Sequence, residues 1–73
     1  MARPVTAALT EAERALLALI GQGLNTLEIS RTLNAKPYTI DRRTAALRRK
    51  LGAADIAQLR EIAQRHLRAP GTP

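Results

Sequence analysis

Basic side chains are concentrated in one part of this 73-residue chain. Six of its twelve Lys and Arg residues lie between positions 36 and 50, namely Lys36, Arg42, Arg43, Arg48, Arg49 and Lys50. Apolar residues recur through the same stretch at helical spacing, at Ile40, Leu47 and Leu51, which predicts one helix with an apolar side and a basic side. Lys and Arg neutralise phosphates, and Arg also pairs with guanine O6 and N7. Such a helix therefore suits the major groove of DNA.

The two faces of this helix have different predicted roles. The predicted core face consists of Ile40, Thr44, Leu47 and Leu51. The candidate DNA-contacting residues lie on the opposite face and its borders, on the preceding turn and on the helix before it, and they are Thr26, Lys36, Tyr38, Thr39, Asp41, Arg42, Arg43, Arg48, Arg49 and Lys50. Arg42 is the preferred base-contacting residue, because its guanidinium lies in the N-terminal half of the helix. The alternative is a surface Arg that pairs with Asp41 or with solvent.

Several other candidates, Lys36 and Thr26 among them, suit the phosphate backbone better than the bases. Tyr38 and Thr39 carry hydroxyls at the helix start, where the helix dipole also favours an anion. Arg48, Arg49 and Lys50 stand near the helix end, where they would either grip a flanking phosphate or complement the dipole without any ligand.

The other helices, which position this one, are predicted from residues that are typical of helix starts and helix ends. Three pairs of residues have capping-box spacing: Thr10 with Glu13, Asn25 with Glu28, and Asp55 with Gln58. Pro37 suits the first turn of a helix that runs to Leu51, while Gly23 and Gly52 suit left-handed turns that end helices. The prediction is an all-α domain of four helices over residues 9–68, with flexible ends at 1–8 and 69–73. A short helix, a tight turn and a longer basic helix form a helix-turn-helix.

Several matches in register resemble one family. They are Leu9-Thr10 with Glu13, Leu19-Ile20 through Gly23-Leu24, Glu28-Ile29 with Leu33, Thr39-Ile40, and Lys50-Leu51-Gly52. This pattern resembles the LuxR/GerE-type DNA-binding domain of bacterial transcription regulators, over almost all of the predicted folded part. The resemblance implies a four-helix domain that binds DNA through helix three and commonly dimerises through helix four.

Three positions depart from the family pattern. Lys36 stands where Ser or Thr usually caps the third helix, Asp41 where a basic residue is usual, and Arg43 where His is common. Lys36 loses a cap but adds a positive charge near the helix start. A carboxylate at Asp41 would be repelled by phosphate unless it accepts from a cytosine amino group or orients a neighbouring Arg. These departures bear on the DNA sequence that is recognised.

Pairing of two copies is expected, because a single small module buries limited surface on DNA. The candidate interface residues follow the apolar stripe of the fourth helix, and they are Ile56, Leu59, Ile62 and Ala63. Ile56 or Ile62, whichever points away from the core, is expected at the seam, the contact between the two copies. The two half-sites would then lie about one helical turn apart.

Composition argues against other function classes. A net charge of +6 and a sequence pI of about 11.4 indicate an acidic partner. With no Cys and one His, disulfides and the usual zinc sites are excluded. No nucleophilic triad or Gly-rich phosphate loop is found, so neither an enzyme nor a cofactor is predicted. No apolar run approaches the roughly 20 residues of a membrane span, and we expect a cytoplasmic bacterial protein, nucleoid-associated when bound, with no membrane partner.

The sequence therefore predicts a sequence-specific transcriptional regulator that binds double-stranded DNA, with helix three, about 37–51, in the major groove. The alternative is a protein-interaction module on the same fold, which binds RNA polymerase, a sigma factor or another regulator. Asp41 is the main support for that alternative. If these 73 residues are the whole product, there is no room for a signal-sensing domain, and the protein would be a stand-alone regulator.

Overall fold

Four helices and no strand make up the part of the chain that the structure describes, residues 9–68, with side chains to His66. The structure is a computed structural model. The helices are α1 (Glu11–Gly21), α2 (Thr26–Thr32), α3 (Pro37–Leu51) and α4 (Ile56–Arg68). The predicted all-α architecture is confirmed, and the predicted bounds of the third helix agree with α3. The predicted flexible ends, 1–8 and 69–73, lie outside the described residues.

The helices begin at the predicted caps, because the cap side chains accept hydrogen bonds from backbone amides that have no partner within the helix. At α1, Thr10 Oγ1 accepts from the Glu13 amide at 3.1 Å and Glu13 Oε1 accepts from the Thr10 amide at 2.9 Å. Asn25 and Glu28 make the same two hydrogen bonds at α2, both 2.8 Å long.

The cap of α4 is a variant of this arrangement. Asp55 Oδ1 accepts from the Gln58 amide at 2.9 Å, as the spacing predicts. The Gln58 side chain accepts from the amide of Ala54 at 2.8 Å, one residue before the cap. This bond holds the last residues of the connection onto the first turn of α4.

Left-handed residues end the two helices of the helix-turn-helix. Gly52 has φ 70° after α3, and the Ala53 amide donates to the Arg48 carbonyl at 2.9 Å. Asn34 has φ 52° after α2, and the Ala35 amide donates to the Ser30 carbonyl at 2.9 Å. Asn tolerates this conformation better than most residues, so the sharp turn between α2 and α3 needs no glycine.

The core is one cluster of Leu, Ile and Ala side chains. Its largest fully buried members are Leu16, Leu17, Ile40, Leu47 and Leu59. The main packing is of α1 along α4 and of α2 against α3. On the predicted core face of α3, Ile40 and Leu47 are fully buried, whereas Thr44 and Leu51 are half-buried. None of the described helices is long and apolar enough to cross a membrane.

Two residues of the predicted dimer interface belong to this core instead. Leu59 and Ala63 are 0% exposed and join the cluster that α1 and α4 bury between them. A side chain buried within one chain cannot contact a second copy, so the prediction was wrong for these two positions. The physical reason is that α4 uses the centre of its apolar stripe to cover α1. Ile56 remains 44% exposed, and Ile62 is half-buried against the edge of the core.

Candidate nucleic-acid interface

The ten candidate DNA-contacting residues lie on or beside the outward surface of α3. Seven are exposed, and three, Thr26, Thr39 and Arg48, are half-buried. Because Ile40 and Leu47 anchor the opposite face in the core, the rotation of α3 about its axis is set by packing. The basic face is therefore directed away from the protein.

A shallow depression of about 410 Å³ lies on this outward surface. It is lined by Thr39, Arg42, Arg43, Ala46 and Arg49. The methyl side chain of Ala46 leaves space between the long basic side chains around it. Three guanidinium groups and one hydroxyl around an open space are donors of the kind that bind phosphate oxygens or base edges.

Ala46 is the one lining residue of this depression that is not among the candidate DNA-contacting residues. It carries no charge and no hydrogen-bonding group, so it gave no chemical signal. Its position did carry one, because it follows Arg42 by four residues and precedes Arg49 by three, and such residues are neighbours on a helix surface.

Arg42 lies over an aromatic ring at the start of the helix. Its guanidinium carbon is 5.7 Å from the centroid of the Tyr38 ring, within the range of a cation–π contact. Tyr38 is itself 68% exposed. No ion pair between Arg42 and Asp41 occurs among the described residues, so Arg42 does not adopt the alternative role of partner to its neighbour.

The Asp41 side chain is held by a residue of α2. The Thr26 hydroxyl donates to Asp41 Oδ1 at 3.2 Å, and this bond joins the first residue of α2 to the second turn of α3. Thr26, predicted to clamp the DNA backbone, therefore has its hydroxyl proton directed at Asp41 in this structure. The sequence could not reveal the bond, since 15 positions separate its two partners.

The far end of α3 is tied to α1. Lys50 Nζ lies 2.9 Å from Glu13 Oε1, with side chains 41% and 26% exposed. The amide of Thr10 and then the ammonium of Lys50 favour the ionised carboxylate, and they hold the pKa of Glu13 below its ordinary value. Lys50 is thus paired within the chain, whereas Arg42, Arg43 and Arg49 form no ion pair among the described residues.

Two further candidates stand at the edges of the site. Lys36 is exposed at the N-cap of α3 and makes no side-chain cap bond, as its departure from the family pattern implies. The first amides of α3 are thereby left without a side-chain acceptor, a setting that favours an anion. Arg43 is exposed on the side of α3 towards α1, where it lines a second depression with Thr10 and Glu13.

Comparison with known proteins identifies the family. The family model for bacterial regulatory proteins of the luxR family, GerE, matches residues 7–63, most of the chain. A search of curated proteins and a search of solved structures gave no match. The match confirms the resemblance that the motifs carry, and it places the chain in a regulatory rather than an enzymatic family. The protein therefore belongs to the luxR family of bacterial regulatory proteins, and its four helices form the helix-turn-helix DNA-binding domain of that family.

Proposed function

We propose that this protein regulates transcription by binding a specific DNA sequence with α3 in the major groove. The observation that carries the proposal is the group of three guanidiniums, Arg42, Arg43 and Arg49, around the small Ala46. Among the described side chains the ion pairs are Lys50 with Glu13 and Arg65 with Glu61, so no carboxylate neutralises this group. Its site of action would be the nucleoid in the bacterial cytoplasm.

The outward residues of α3 divide into two proposed roles. Arg42 lies in the N-terminal half of the helix, which enters the groove most deeply in this class of domain, and it would read guanine. Arg43 and Arg49 would hold phosphates on either side, assisted by Thr39 and by Lys36 at the helix start. Tyr38 would support Arg42, since a guanidinium that rests on a ring loses less rotational freedom on binding.

We also propose that two copies bind together, with the first turn of α4 at the seam. Ile56 is the exposed member of the predicted interface, whereas Leu59 and Ala63 are occupied within the chain. Successive residues are 100° apart around the helix axis, which places Ile56 and Ile62 on opposite sides of the buried Leu59 and Ala63. One flat interface would therefore not include both isoleucines. The two-fold symmetry of such a dimer would make the site palindromic, and half-sites about one helical turn apart would let both copies of α3 reach the major groove on the same side of the duplex.

The test is selection from randomised duplex DNA at near-physiological salt. The proposal expects an enriched palindrome with half-sites about 10 base pairs apart. Arg42→Ala should weaken binding to that palindrome by about 1–3 kcal/mol and relax the preference at one base position. Arg65→Ala, on an exposed face of α4 that points away from Ile56, is the matched control and should leave the selected sequence unchanged.

An enriched site without two-fold symmetry would overturn the dimer but not the DNA-binding proposal. Failure to enrich any sequence would overturn sequence-specific binding. That second result would favour the alternative, in which the same fold binds RNA polymerase, a sigma factor or another regulator. Asp41 was the main support for that alternative, and its hydrogen bond with Thr26 supplies another reason for a carboxylate at this position.

A further inference from the structure

Asp41 and Arg42 are adjacent residues of opposite charge, and the structure holds them apart. The Asp41 carboxylate accepts from Thr26 on α2. The Arg42 guanidinium lies over the Tyr38 ring. Within the described residues no ion pair joins the two. An exposed carboxylate and an exposed guanidinium therefore follow one another on α3, and each contacts a different residue, Thr26 or Tyr38.

A carboxylate is an unfavourable group to direct towards DNA. It is repelled by the phosphates, and in the major groove it is also repelled by the acceptors of guanine and by O4 of thymine. The cytosine amino group is a donor that Asp can accept from in that groove. Asp41 would thus lower the affinity for every DNA sequence to some degree. The loss would be smallest for sites that place a cytosine opposite Asp41.

The hydrogen bond from Thr26 leaves the carboxylate able to do this. The hydroxyl donates to Oδ1, and a carboxylate has further lone pairs on both oxygens. Oδ2 is therefore free of that bond and available to an amino group. A side chain held at one oxygen also has fewer rotamers to lose when the other oxygen binds.

We propose, on the basis of the proposed function above, that Asp41 is a specificity-determining residue that selects cytosine, and that Thr26 is its positioning residue. Arg42 beside it reads guanine. The half-site then contains a cytosine in the same base pair as that guanine or in a neighbouring one. Asp41 contributes discrimination at the expense of overall affinity, which is the opposite of what a basic residue does there.

The experiment repeats the selection from randomised DNA with the full chain and three variants. Asp41→Asn keeps an oxygen that can accept from Thr26 but replaces the other oxygen with an amide donor, and Asn prefers adenine. Thr26→Val keeps the shape of the Thr26 side chain and removes its hydrogen bond to Asp41. Glu61→Gln removes one negative charge from α4 and is the control for net charge. Circular dichroism of each variant checks that the helices are retained.

The expected result has two parts of opposite sign. One position of the half-site should change from cytosine in the wild type to adenine in Asp41→Asn, with a loss of about tenfold in discrimination for cytosine. Binding to unrelated DNA should become tighter in the same variant, because a phosphate-repelling charge is gone. Thr26→Val should keep the cytosine preference but weaken it several-fold, and Glu61→Gln should select the wild-type sequence.

Other outcomes separate the two proposals. If the wild type enriches no sequence, the proposed function fails and this inference fails with it. If the wild type enriches a site but Asp41→Asn selects the same bases, the inference is overturned while the proposed function stands. Should Asp41→Asn lose its helices, Asp41→Ser takes its place, and an unchanged cytosine preference in that variant overturns the inference equally. Wild-type discrimination in Thr26→Val would overturn the positioning role.

Discussion

Two helices of similar length, α3 with 15 residues and α4 with 13, use arginine in different ways. Both bury an apolar stripe, and both carry basic residues on the outside. On α3 three guanidiniums surround Ala46, and none of them forms an ion pair with a carboxylate of the described residues. On α4, Arg65 lies 3.6 Å from Glu61 in an exposed pair, and the exposed large apolar residue is Ile56.

The two helices differ in how their arginines are arranged and paired, which is a separate property from the number of charges that each carries. What matters is whether the charges lie on one outward face and whether the protein itself neutralises them. Under the proposed function, α3 would contact the nucleic acid and the first turn of α4 would contact a second copy of the chain.

The largest effect is expected from the buried centre of α4. Leu59→Ala removes a side chain that is 0% exposed and should lower the free energy of unfolding by about 2–5 kcal/mol, because a cavity remains. Ile56→Ala, on the same helix but 44% exposed, should change it by less than about 1 kcal/mol. Urea denaturation measures both. Equal losses would show that Ile56 belongs to the core and would remove it from the proposed seam.

The next effect concerns the turn that separates α3 from α4. Gly52 has φ 70°, and no atom lies within 4 Å of an added Cβ. Gly52→Ala should therefore cost about 1–2 kcal/mol through backbone conformation alone. Asn34→Gly, at the left-handed residue before α3, is the control and should lose little or no stability. Thermal denaturation gives both values, and a neutral Gly52→Ala would contradict the backbone explanation.

A smaller effect separates the arginines of the two helices. Arg49→Ala should weaken specific and non-specific DNA binding alike and reduce the slope of log affinity against log salt by about 1, because one phosphate contact is lost. Arg65→Ala removes the same charge from α4, where Glu61 already accompanies it, and should leave the slope unchanged. Fluorescence anisotropy over a salt series provides the measurement. A common change in slope would mean that both helices contact phosphate.

The smallest effect is expected from the ion pair that ties α3 to α1. The pKa of Glu13 is lowered, by the Thr10 amide first and by Lys50 second. The ionised carboxylate therefore contributes stability that is present above the ordinary glutamate pKa and is lost as the pH falls through the lowered value. Glu13→Gln should be less stable than the wild type at neutral pH, and the two should converge in acid.

Lys50→Met sharpens this last prediction. It removes the ammonium but keeps the Thr10 amide as a donor to Glu13, so it should retain part of the pH dependence. Urea denaturation of the three proteins from neutral to acidic pH provides the measurement. A gap between wild type and Glu13→Gln that does not narrow on acidification would show that charge on Glu13 is not what stabilises the fold.

Much of the secondary structure could be predicted because its causes are local. A cap and its partner are three residues apart, as at Thr10 and Glu13, and Gly52 acts on its own backbone. The start of α3 at Pro37 and its end before Gly52 follow from the same short-range rules. The outward set on α3 also follows largely from helical periodicity, once Ile40 and Leu47 are assigned to the core.

Other features could not be predicted, because they depend on residues far apart in the chain. The bond between Thr26 and Asp41 spans 15 positions, and the ion pair between Glu13 and Lys50 spans 37. Periodicity placed Leu59 on an apolar stripe but could not say that α1, rather than a second copy, would cover it. In each of these cases the sequence gives the type of the side chain but not the residue that it contacts.

The sequence by itself determined where the helices begin and end, the all-α class, the basic character of α3 and the family to which the chain belongs. These properties depend on the residue types and on spacings of a few positions. The tertiary structure alone decided which apolar side chains of α4 stay exposed, which arginines around Ala46 form no ion pair among the described residues, and that Asp41 accepts a hydrogen bond from α2. Packing decides these points because it brings together side chains that the covalent chain keeps apart, and burial and pairing determine which groups remain free to bind a partner.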